Sequence, residues 1–171
     1  NLNEAVIIQD NCLFSHVTAQ FNFTTYDVRR DQDTINTNNM RRDIMVPSFE
    51  DCEDEDSQWQ PYWYARVLNI YHANIHFHGR PKAEKIELLW VRWFGKDPDS
   101  AGGPSILRLN RVGFVPASDA EAFGFLDPAL VLRACHLIPA FNSGRTLNLL
   151  GPSFARDVGP QGDWEKYYVM R

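Results

Sequence analysis

Two stretches decide the fold: Tyr62-Trp63-Tyr64-Ala65-Arg66-Val67-Leu68-Asn69-Ile70-Tyr71 and Lys85-Ile86-Glu87-Leu88-Leu89-Trp90-Val91-Arg92-Trp93-Phe94. Both are rich in aromatic and β-branched residues, the composition of extended strands. Pro61 precedes the first, which runs on toward Ile75 and Phe77 before Gly79-Arg80-Pro81 breaks it. Gly95 and Asp97-Pro98 end the second. Matched length with a Gly/Pro break between them predicts an antiparallel hairpin. Alternation puts Leu89, Val91 and Trp93 on one face and Trp90, Arg92 and Phe94 on the other. Both faces carry bulk, so the hairpin is expected at the centre of the sheet.

Shorter segments surround it. Gln20–Tyr26 alternates apolar and polar side chains as a half-buried strand does. The stretch from Asn36 to Asn39 has loop composition, and Asp43-Ile44-Met45-Val46 is a short strand stopped by Pro47. Ile106 to Pro116 alternates again after Ala101-Gly102-Gly103-Pro104. Asp127-Pro128 supplies an N-cap and a first-turn proline for a short helix. Val131–Ile138 and Trp164–Met170 complete the strands, with turns at Asn142-Ser143-Gly144 and Gly151-Pro152-Ser153. The expectation is one mainly β domain over residues 1–171, a twisted antiparallel β-barrel with a few short helices and long loops.

Composition narrows the function. The 171 residues suit one domain, and 44% hydrophobic with 13% aromatic residues is ample for a packed core. No window reaches the roughly 18 uninterrupted apolar residues of a membrane helix. The chain starts at Asn1 without a Met and reads as an excerpt of a longer protein. Cys12, Cys52 and Cys135 form no CxxC pair, which argues against a disulfide framework or zinc finger and for reduced thiols inside a cell. The sequon Asn22-Phe23-Thr24 has no role in that setting. Six acids crowd Glu50-Asp51-Cys52-Glu53-Asp54-Glu55-Asp56, a run expected to be solvated because packed like charges repel. Setting those six aside leaves 17 basic against 16 acidic residues, so the net charge of −5 belongs to the run and the body is nearly neutral. Such a body lacks the basic stripe of a nonspecific DNA binder, although Arg29-Arg30, Arg41-Arg42 and Arg108 with Arg111 form local clusters.

Two resemblances follow from these motifs. The strand containing Ala65-Arg66-Val67, followed by Val91-Arg92-Trp93-Phe94, resembles the bromo-adjacent homology (BAH) domain over about half of the chain. That resemblance implies a bent β-barrel and a chromatin-associated, nuclear interaction module. It also implies a protein or histone-peptide partner, held in some members by an aromatic cage around a methylated lysine. Tyr62, Trp63, Tyr64, Trp90, Trp93 and Phe94 supply rings for such a surface, although packing in the core is the ordinary use of rings on adjacent strands. Over roughly residues 20 to 170, "YDVRRDQDTIN", "PYWYARVLNIYHA", "LLWVRWFGKD", "GFVP", "AFGFLDPALVLRACHLIPAF" and "GRT" are similar to a family of mushroom-forming fungi. Its members lie in or near KDZ-type and related transposons, and the family carries no assigned activity.

Catalytic chemistry has thin support. His72, His76 and His78 share a parity and would face one way along a strand, the arrangement of a metal site, but an exposed strand end explains them as well. Cys135 and His136 are neighbours on a strand and face opposite sides, so they cannot act as nucleophile and base together. Asp27, Asp31 and Asp33 around Arg29-Arg30 could ligate magnesium or act as acid and base, or pair locally with the arginines. Neither a glycine-rich phosphate loop nor a GxSxG or HExxH motif is present. No cofactor is expected. The alternatives are a non-catalytic interaction module and a metal-dependent nucleic-acid enzyme or accessory DNA-binding subdomain of a transposase-type protein. DNA contact in the first case would come through the parent protein.

Overall fold

A computed structural model describes residues 6–48, 61–99, 108–156 and 161–170. The acidic run Glu50–Asp56, Cys52, and the Ala101–Pro104 loop lie outside the described residues. The structure is mainly β and antiparallel, with thirteen strands among the described residues. They are β1 (Val6–Ile8), β2 (Phe14–His16), β3 (Thr18–Thr24), β4 (Arg30–Asn36), β5 (Asp43–Pro47), β6 (Tyr62–Phe77) and β7 (Glu84–Lys96). Then follow β8 (Arg111–Phe114), β9 (Phe123–Leu126), β10 (Arg133–Pro139), β11 (Arg145–Thr146), β12 (Asp163–Trp164) and β13 (Tyr167–Met170). Three short 3-10 turns are the only helical elements among the described residues.

The hairpin expected from sequence is the backbone of the molecule. β6 and β7 pair from Tyr64↔Phe94 to Ile75↔Glu84, and Gly79, with φ +82°, turns the chain between them. A bulge at Leu68 shifts the register between Val67 and Asn69. It lets Trp63, Ala65 and Val67 share a face with Ile70, a sequence that strict alternation would not put together. From this hairpin, pairings run β6–β5, β5–β10, β10–β13, β13–β8 and β8–β7. The six strands trace a barrel-like ring that is only partly closed, since β13 and β8 share just two residue pairs. β1, β2 and β9 pair outside the ring, the first two on β6 and the third on β7. β3 and β4 form a separate hairpin.

Both faces of the central hairpin are covered. Leu89 and Val91 join Ile44, Val46, Ala65, Val67, Phe21 and Ile35 in one apolar cluster. Phe94 joins Tyr64, Met45, Val112, Phe114, Leu137, Tyr167 and Val169 in a second.

Several boundaries differ from the sequence expectation. The strand expected over Gln20–Tyr26 is β3, ending at Thr24, where the Thr25 hydroxyl and an exposed Asp27–Arg29 ion pair (2.9 Å) organise a turn with Val28 at φ +62°. Asn36 to Asn39 does turn, through side-chain oxygens of Asn36 and Asn39 accepting from the Asn38 and Arg41 amides. Among the described residues of the segment ending at Pro116, the one extended strand is the four-residue β8. Asp127 caps a 3-10 turn, Pro128–Leu130, by accepting from the Ala129 amide at 2.8 Å, so the strand expected from Val131 starts at Arg133. Trp164–Met170 is not one strand. Ala140 N–H bonds to Lys166 and Glu165 N–H to Gly144, which divides it into β12 and β13.

Candidate functional site

The two arginines of the central motifs lie side by side inside the barrel. Arg66 and Arg92 are register partners on β6 and β7, and both are buried. Like charges opposite one another repel, so each has its own carboxylate. Arg66 donates to both oxygens of Asp43, at 2.7 and 3.0 Å. Arg92 meets Asp163 at 2.8 Å and donates to the Ala155 carbonyl at 3.2 Å. The Phe114 ring lies between them, 5.0 Å from the Arg66 guanidinium and 3.7 Å from that of Arg92. Burial pushes the Arg92 pKa down and Asp163 opposes it. A third buried acid, Asp97, accepts from Arg111 and from Lys166. The Asp43–Arg66 and Arg92–Asp163 pairs are packed into the interior.

An open cleft does exist where the hairpin forks. β6 and β7 stop pairing at Tyr64↔Phe94. Beyond that point Trp63 and Tyr62 pair with Val46 and Pro47, while Gly95 and Lys96 pair with Gly113 and Val112. Drawn to different neighbours, the strands diverge and leave a cleft of about 630 Å³. Trp63 and Trp93 meet edge to face at its wall, ring centroids 6.0 Å apart. Tyr62 and Phe123 add rings, and Asp119, Glu121 and Lys96 add charge. Gly124 leaves room for the indole of Trp93, since a Cβ there would sit 3.2 Å from Nε1. The Trp93 amide bonds to the Ala122 carbonyl, and its own carbonyl accepts from Val115. One Asp119 oxygen accepts from the Glu121 amide at 2.9 Å, fixing the acidic corner.

The sequence-derived aromatic residues therefore divide. Tyr62, Trp63 and Trp93 stand at the cleft with their rings partly exposed, while Tyr64 and Phe94 form its floor from the core. Trp90 does not line the cleft; it lies further along the Phe94 face of β7 and packs on Phe154 (5.3 Å) and on Phe123 (6.4 Å). Asp119, Glu121 and Phe123 were not legible as site residues, because nothing in their sequence neighbourhood shows that β9 pairs with β7.

The histidines divide too. His72 and His76 lie on β6, but His78 lies past its end in an exposed turn. His72 instead meets His16 of β2, Nδ1 to Nε2 at 2.6 Å. Among the described residues, no three His, Cys, Asp or Glu side chains converge as metal ligands. Asp33 accepts from the Ala134 amide at 2.9 Å and faces Arg133, tying the β3–β4 hairpin to β10. Cys135 is half-buried and His136 exposed. No described helix is long and apolar enough to cross a membrane. Comparison with protein-family models, curated proteins and solved structures returned no match.

Proposed function

We propose that this domain is a non-catalytic, BAH-like interaction module of a nuclear, mobile-element-associated protein, and that the cleft at the β6/β7 fork receives a cationic side chain from a protein or histone peptide. The observation that carries this reading is the composition of the cleft: rings of Tyr62, Trp63, Trp93 and Phe123 beside the carboxylates of Asp119 and Glu121. Ring faces attract ammonium and guanidinium groups, most strongly where water is excluded, and the two carboxylates outnumber the one ammonium of Lys96. Methylated ammonium suits such a cleft, because it gives up little hydration on entry. If no free ligand is taken up, the same surface serves for packing within the parent protein.

The test is titration of unmodified and trimethyllysine histone peptides and of duplex DNA, each at low and moderate salt. Peptide binding with shallow salt dependence is expected. Trp93→Ala should weaken it by about 2 kcal/mol, more than tenfold in Kd, as truncation of a buried aromatic anchor does. Tyr26→Ala, at a fully exposed ring on the remote β3–β4 turn, should leave it unchanged. Steeply salt-dependent DNA binding without peptide binding would overturn the reading, since that behaviour marks phosphate neutralisation.

A further inference from the structure

We propose that His16 and His72 form a proton-controlled latch that holds β2 on the outer side of β6 near neutral pH and releases it on acidification. The geometry begins with their ring nitrogens, 2.6 Å apart, in rings inclined by only 24°. At that separation one nitrogen carries the hydrogen and the other accepts it. Two neutral rings satisfy this, and so does a pair with one extra proton. Two imidazolium rings do not, because both facing nitrogens then bear hydrogen and both rings bear charge.

Little else holds β2. Its ladder to β6 has three residue pairs, Phe14↔His72, Ser15↔Tyr71 and His16↔Ile70. All three β2 residues are exposed, so burial contributes little. Phe14 also stacks on the His72 ring, centroids 4.7 Å apart. Among the described residues, the side-chain contacts of β2 apart from the Ser15–Asn69 hydrogen bond (3.0 Å) thus converge on one titratable ring.

The surrounding charges set the direction. Glu87 of β7 lies directly opposite His72 in register and favours its charged form, while Lys85 of the same strand disfavours it. Lys85 and Glu87 are themselves paired at 2.6 Å, and Asp127 borders the same groove. Partial burial, followed by Lys85 and His16, outweighs Glu87 and holds the His72 pKa below its ordinary 6.5. A base whose pKa is depressed by a contact favours that contact while neutral. Of these causes, burial and His16 come with the docking of β2 whereas Lys85 stays in place, so docking is favoured above the ordinary imidazole range and weakened as pH falls through the lower value.

The test is amide hydrogen exchange of the β2–β6 ladder, expressed as protection factors so that intrinsic pH effects cancel. In the wild-type chain, protection should fall severalfold between about pH 7.5 and about pH 5.5, the range in which imidazole gains its proton. Amides of the β5–β6 ladder should stay protected, showing that the barrel remains folded. His16→Gln, which cannot form a pair of facing imidazolium rings, should show no step whatever its baseline, while His136→Gln should keep it. A wild-type profile without the step, or a His16→Gln profile that retains it, would overturn the proposal.

Discussion

Removing the carboxylate of Asp43 tests how the barrel tolerates two buried guanidinium groups face to face. Asp43 and Arg66 are register partners on β5 and β6, with side chains only 4% and 3% exposed. In Asp43→Val the two hydrogen bonds at 2.7 and 3.0 Å disappear, and Arg66 keeps its charge beside Arg92. Breaking a buried ion pair by deleting one partner costs about 3–5 kcal/mol. The rings of Phe94, Phe114 and Tyr167, at 5.5, 5.0 and 5.4 Å from the Arg66 guanidinium, recover only part of that. Repulsion from Arg92 acts in the opposite sense, which places the expected loss at the upper end of the range. For a domain with about 5–15 kcal/mol of stability, this is a third or more of the total.

Arg66→Met alone should cost a comparable amount, because it leaves Asp43 buried without its principal cation. Asp43→Val/Arg66→Met removes both charges and relieves Arg92, so it should fall within about 2 kcal/mol of wild type. The coupling between the two substitutions is then about 5 kcal/mol or more. Urea unfolding at neutral pH, followed by tryptophan fluorescence, measures all four corners of the cycle. If a single variant is too unstable to fold, the double variant still decides, since it must be more stable than either. Single losses below about 1 kcal/mol that simply add would refute the reasoning, because they would mean that water reaches the pair.

Two further outcomes follow from buried groups elsewhere. Burial works to raise the pKa of Asp97, but hydrogen bonds from Lys166 and Arg111 outweigh it and hold the carboxyl below its ordinary range. Its contribution to stability is accordingly present above the unfolded carboxyl pKa and lost as pH falls through the lower folded value. Urea midpoints between about pH 2 and pH 5 should drop for wild type and flatten in Asp97→Asn. Gly162 and Gly79 both have φ +82°, yet a Cβ on Gly162 would lie 2.1 Å from the Thr146 carbonyl whereas nothing is within 4 Å of one on Gly79. Gly79→Ala should cost only the left-handed strain of about 1–2 kcal/mol. Gly162→Ala should lose well beyond that by thermal unfolding, with β11 and β12 the first to separate; equal losses would contradict the steric account.

The central hairpin was legible because its signal is local. Length, β-rich composition and the Gly79-Arg80-Pro81 break all sit within about thirty residues, and the two segments pair antiparallel as expected, in a register that joins Tyr64 to Phe94. What escaped depends on partners distant in sequence. β1 and β2 are short and exposed at every position, so they carry no alternation to detect, and among the described residues their one strand partner is β6. β9, Phe-Gly-Phe-Leu, has no strand signature until Leu89 to Arg92 pair with it. The bulge at Leu68 defeats alternation for the same reason, since its cause is a fit across two strands. The site was half legible: Trp63 and Trp93 could be suspected from their strands, but which rings share a face depends on that bulge and on the fork. His72 was visible, but its partner His16 lies 56 residues away.

The fork also explains why the buried charges matter to the cleft without touching its occupant. Arg66 and Arg92 lie two residues along their strands from Tyr64 and Phe94, the last paired residues before β6 and β7 separate. Side chains two apart share a strand face, so the Asp43–Arg66 and Arg92–Asp163 pairs sit one step below the rings that floor the cleft. Asp43 belongs to β5, which draws Trp63 and Tyr62 away from β7, and Phe114, the ring between the arginines, belongs to β8, which draws away Gly95 and Lys96. The carboxylate of Arg66 and the ring between the two arginines therefore come from the strands that set the cleft's width, whereas Asp163, the partner of Arg92, belongs to β12, which pairs with β11. An apolar replacement of Asp43 and Arg66 can restore stability, but it cannot restore the two hydrogen bonds that tie β5 to β6 at this point. Ligand affinity in the double variant should consequently recover less than its unfolding midpoint does. Recovery of both to the same degree would mean that backbone pairing alone sets the opening.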